Sequence, residues 1–159
     1  MTRLQNLATL ALTLVVTSAS SIQAQPKDPV LGTWVLNVGK SKFSPGPAPK
    51  SQTRTYVVAG DKIAATFDGV GADGKAMKVD FTALADGKDY PYKGDPTADA
   101  ISFHRIDANT VDASVKKGGK EVHHAKRVIS KDGKTMTVTM TGKDAKGQAM
   151  HNVLVFDRK

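Results

Sequence analysis

From residue 52 to the end of the chain, apolar and polar residues alternate in short runs divided by turn-forming residues, and no window carries the period of an amphipathic helix. The clearest run is Thr135-Met136-Thr137-Val138-Thr139-Met140-Thr141, which sets methionines and valine on one face and threonines on the other. The same parity gives dry faces of Tyr56 and Val58; of Ile63, Ala65 and Phe67; of Met77, Val79 and Phe81; of Ile101 and Phe103; and of Val111, Ala113 and Val115. Strands are predicted over 52–59, 62–68, 75–84, 88–93, 100–106, 110–117, 120–130, 134–141 and 147–157. Asp73-Gly74, Asp86-Gly87, Asp107-Ala108-Asn109, Lys117-Gly118-Gly119 and Asp132-Gly133 fall between them and suit tight hairpins. An earlier run completes the set, with Gly32, Trp34 and Leu36 on one face and Thr33, Val35 and Asn37 on the other. Such a chain is an antiparallel meander, and closure abolishes the two edges that a meander leaves open. The expected fold is all-β, a single up-and-down antiparallel β-barrel of about eight to ten strands. Its first and last strands must pair, with Val153 to Phe156 buried against Trp34.

Residues 1–24 stand apart. Arg3 gives a positive start, Leu7 to Val16 is almost wholly apolar, and Thr17 to Ala24 is small and polar, which is the pattern of a signal peptide. The apolar core is short for a bilayer span and no second one follows, so the chain is not expected to be an integral membrane protein. Cleavage after Ala24 leaves 25–159 as one domain, periplasmic or secreted. There are no cysteines, which excludes disulfides, thiolate metal sites, thiol catalysis and a lipid anchor on a mature N-terminal cysteine. Val38 to Ser51, with Pro45, Pro47 and Pro49, reads as an irregular loop.

Gly32-Thr33-Trp34-x-Leu36-Asn37, followed by Lys40-Ser41-Lys42-Phe43-Ser44-Pro45-Gly46, resembles small bacterial exported lipocalin-like proteins of the lipocalin and fatty-acid-binding-protein superfamily. The glycine before the tryptophan leaves room for a later strand or an arginine to close over the indole. The resemblance implies a barrel that binds a small apolar or amphipathic ligand. In fatty-acid-binding proteins an Arg-x-Tyr pair on the last strand holds the carboxylate, and a helical pair caps the mouth. Here the aligned positions are Leu154 and Phe156, and the proline-rich loop replaces the helices.

The dry faces either line a cavity or fill a solid core, and a barrel of ten strands favours a cavity. Two arginines fall in step with inward residues, Arg54 with Tyr56 and Arg105 with Phe103. Each either anchors a ligand carboxylate or is a strand-end arginine that reaches solvent or packs on Trp34. The candidate ligand-binding set is therefore Arg54, Tyr56, Phe67, Phe81, Phe103, Arg105, Leu154 and Phe156. His104, His123, His124 and His151 form no compact ligand motif, so neither a metal nor another cofactor is expected. Nucleophile elbows, phosphate loops and zinc-protease motifs are absent and the aspartates sit in turns, so the chain is not expected to be an enzyme. The net charge of +8 is scattered over turns. Its first reading is solubility, with an anionic envelope surface as the alternative partner and nucleic acid not expected, and the expected state is a monomer. The alternative role is an envelope interaction module with a filled core and a basic surface, without ligand or catalysis.

Overall fold

The computed structural model describes residues 27–144 and 146–159, so the signal peptide expected over 1–24 lies outside the described residues. Ten strands run in sequence: β1 (Gly32–Leu36), β2 (Ser51–Ala59), β3 (Lys62–Val70), β4 (Ala76–Ala83), β5 (Asp86–Lys93), β6 (Ala100–Arg105), β7 (Thr110–Lys117), β8 (Lys120–Ile129), β9 (Thr135–Lys143) and β10 (Ala149–Arg158). Each pairs antiparallel with its neighbour in sequence, and β1 pairs with β10 to close the barrel. The predicted elements are all present, with boundaries moved by a few residues. Val38–Lys40 forms a 3₁₀ turn, and Lys42 bridges to Val153, so the β1–β2 connection is less irregular than its prolines predict.

Alternation sends one face of each strand into a continuous core. Trp34, Met136 and Phe156 are fully buried, and Leu36, Tyr56, Phe67, Phe81, Ile101, Val115, Val138 and Leu154 are buried with them. Parity does not report depth, however. Val58 shares the phase of Tyr56 but stands at the rim of the barrel and is 64% exposed.

One end of the barrel carries the β2–β3, β4–β5, β6–β7 and β8–β9 turns together with residues 27–31, a strap that leads into β1. Three side chains hold the strap. The indole N–H of Trp34 donates to Val30 O at 2.7 Å, Arg158 donates to Leu31 O at 2.7 Å and Pro29 O at 2.6 Å, and Arg105 pairs with Asp28. The Arg158 guanidinium lies 4.1 Å from the indole centroid, so an arginine does close over Trp34. The wall is thinnest between β4 and β5, where only Asp80↔Lys93 and Phe81↔Tyr92 are in register. Pro91, the next residue along β5, has no N–H to continue the ladder.

The turns are pinned by carboxylates. Asp73, Asp86 and Asp107 each accept a backbone N–H from two residues on, Asp132 accepts the Ser130 hydroxyl and the Lys134 N–H, and Asp157 accepts from Asn37 and Lys40. These bonds hold all five below the ordinary carboxylate value of 3.8. A folded pKa below the unfolded one means that protons bind the unfolded chain better, so this stabilisation is complete above about pH 4 and is lost as the pH falls further. The urea midpoint should therefore be level from pH 7 to about pH 5 and drop below about pH 4. A midpoint unchanged at pH 3 would mean that the turn carboxylates contribute nothing.

Candidate functional site: an arginine-bearing barrel interior

β2 turns Gln52, Arg54 and Tyr56 inward, and β8 turns Ala125, Arg127 and Ile129 inward. The interior thus receives two guanidinium groups from strands on different sides of the barrel. Among the described residues neither has a carboxylate partner. The ion pairs lie elsewhere, on the outer face and the rim, as in Lys40–Asp157, Lys78–Asp68, Lys116–Asp89 and Arg105–Asp28.

The two cations are housed differently. Arg54 is 6% exposed and held between two rings, its central carbon 4.3 Å from the Phe67 centroid and 4.5 Å from that of Phe156. Its Nε donates to Gln52 Oε1 at 3.0 Å. Aromatic faces and an amide compensate this buried charge in part. Arg127 lies more loosely, 5.4 Å from the Tyr56 centroid and 5.9 Å from that of Phe103, and its buried Nε has no hydrogen-bond partner. A half-buried phenol, Tyr92, faces the same space. Burial pushes it up to about 12 against the opposing pull of Arg54, so it stays a neutral hydrogen-bond donor at physiological pH.

These side chains enclose an inner space of about 50 Å³, lined by Arg54, Tyr56, Phe67, Phe81, Tyr92, Phe103 and Arg127 among others. Ten strands leave room for a larger lumen, but the two arginines and the ring cluster fill it. Phe67 and Phe81 meet edge to face at 5.3 Å, Phe81 and Phe103 lie 5.3 Å apart, and Phe81 and Tyr92 stack at 5.9 Å. The expected hollow barrel is thereby corrected to a nearly solid one with a small, mostly apolar gap onto which the two arginines face.

Above this gap, at the strap end, a cleft of about 600 Å³ opens to solvent. Its floor is Tyr56, Phe81, Phe103, Val111 and Arg127, all of which also line the inner space. Its rim includes Lys27, Asp28, Asp61, Lys62, Asp86 and Arg105.

Of the residues singled out from sequence, Arg54, Tyr56, Phe67, Phe81 and Phe103 line the inner space. Arg105 is at the cleft rim, paired with Asp28. Leu154 and Phe156 are buried in the core and line neither space, though Phe156 is one of the rings on Arg54. Arg127 is the residue that sequence reasoning missed. The signal was its parity with Ala125 and Ile129, obscured by the bulge opposite Val115 that breaks the phase of β8 at its start. The histidines do not converge: His123 bonds to Lys143 O, His124 lies 4.0 Å from Asp112 and from Glu121, and His104 and His151 are exposed.

No protein-family model matches this chain, and no curated protein sequence matches it. The closed ten-stranded antiparallel barrel is compatible with a lipocalin-like fold.

Proposed function

We propose that this is an exported lipocalin-like barrel that binds a small amphipathic anion at its strap end and catalyses no reaction. The observation that carries the reading is the pair of interior guanidinium groups, Arg54 and Arg127, facing one aromatic-lined space without a carboxylate. A buried cation is costly unless an anion or a full set of acceptors meets it, so an anionic ligand would stabilise what the empty barrel leaves uncompensated. The cleft provides the apolar surface for the rest of the ligand, in the size range of small-molecule sites.

The test is a titration of 8-anilinonaphthalene-1-sulfonate against the parent and the Arg54→Met and Arg127→Met variants, each checked for folding by circular dichroism. A hydrogen bond to a charged group contributes about 1.5 to 3 kcal/mol, so binding should weaken about tenfold or more in at least one folded variant. Equal binding by all three proteins, or none by the parent across a panel of apolar anions, defeats the reading.

The small inner space supports a second reading, an envelope module with a filled core that presents its basic surface to an anionic partner. That role predicts salt-sensitive attachment to anionic polymers and indifference to both interior substitutions.

A further inference from the structure

Three arginines stand in order from the rim to the interior, and their partners differ. Arg105, at the rim, already holds Asp28 and reaches Ala108 O at 3.5 Å. Arg54, in the interior, has a ring on each face and donates its Nε–H to Gln52. Arg127 lies between them, on the wall shared by the cleft and the inner space, and it alone has a buried N–H without an acceptor. Anything descending the cleft meets Arg127 before Arg54.

Size and surroundings then restrict what can lie on Arg127. The inner space of about 50 Å³ is on the scale of one or two water molecules, each of which occupies about 30 Å³ of liquid. It can admit a carboxylate or sulfonate head and cannot take an acyl chain. The body of the ligand must therefore occupy the cleft, whose floor is the rings of Tyr56, Phe81 and Phe103. Aromatic guests gain offset or edge-on ring contacts there that methylene groups do not. Leu31, Val58, Ile63 and Leu84 give the cleft wall apolar surface for a short body, but a long chain would run on past the rim of Lys27, Asp61, Lys62 and Asp86, where additional methylenes find charge and water.

Building on the anion-binding reading above, we propose that the ligand is a compact aromatic acid. Its acid group sits on Arg127 at the neck of the cleft, its ring lies against Tyr56, Phe81 and Phe103, and long-chain fatty acids are poor ligands. Arg127 is the residue that selects the anion, while Arg54 is chiefly a structural cation held by its rings.

Calorimetric titration with 2-naphthoate, 2-naphthalenesulfonate, neutral 2-naphthamide, octanoate and palmitate tests each part. The parent should bind the two naphthyl acids at least tenfold more tightly than the amide, and palmitate should gain nothing over octanoate. In Arg127→Met the acids and the amide should converge, and Arg127→Lys should restore part of the preference. Phe103→Leu should weaken the naphthyl acids and leave octanoate unchanged. Affinity that climbs from octanoate to palmitate above the naphthyl acids overturns the ligand class while leaving anion binding intact. Binding of no anion at all removes both proposals. An acid preference that survives in Arg127→Met overturns the role of that residue. Should Arg127→Met not fold, equal binding of acid and amide by the parent is itself enough to reject the assignment.

Discussion

Replacing Trp34 with alanine is expected to cost about 3 to 5 kcal/mol of folding stability. The indole is fully buried, so the substitution opens a cavity where the strap, β1 and β10 meet. It also leaves Val30 O without its 2.7 Å donor and takes the aromatic face from beneath the Arg158 guanidinium. A domain of ordinary stability has about 5 to 15 kcal/mol in total, so the loss should be plain in the urea midpoint and at the low end should unfold the protein. An alanine variant as resistant to urea as the parent would show that the barrel is not closed around this side chain.

Gly94→Ala is expected to be nearly as damaging, for a different reason. Gly94 has φ +94°, a conformation that L side chains rarely adopt, and an added Cβ would lie 1.9 Å from Lys78 O. The obstacle is backbone and cannot swing aside. Strain at positive φ costs about 1 to 2 kcal/mol, and forced overpacking typically about 1 to 3 kcal/mol more. Gly118→Ala is the control, because its φ is +55° and nothing lies within 4 Å of the point its methyl would occupy, so only the conformational part applies. Equal losses of thermal stability in the two variants would mean that β5 does not approach β4 so closely in solution.

The barrel was legible because its two signals are local: a two-residue period along each strand, and glycine or aspartate where each hairpin turns. Closure followed from the apolar run Val153 to Phe156, and Leu36 does pair with Phe156. Depth along a strand was not legible. Val58 and Arg105 share the phase of inward neighbours, yet both stand at the rim, because a strand's parity continues past the point where the core ends. Arg127 escaped notice because a bulge shifts the phase at the start of β8 and because the outward Val128 makes the opposite face look apolar too. The free volume of the interior is a property of packing. It depends on how the Arg54 and Arg127 side chains lie among the rings, which no pattern of residue types records.

Every seam in the wall joins strands that follow one another in the chain, except the seam between β1 and β10. Hairpins can form early, over microseconds, since their partners are near in sequence. The last seam must bring together Trp34 with Arg158 and Asn37 with Asp157, across nearly the whole described chain, and it bears the entropy of closing that loop. Until it forms, the meander is an open sheet with two bare edges, the geometry that recruits other chains. Trp34 and Arg158 thus hold the seam with the largest loop-closure cost, and substitutions there should raise aggregation during refolding by leaving the two edges unpaired.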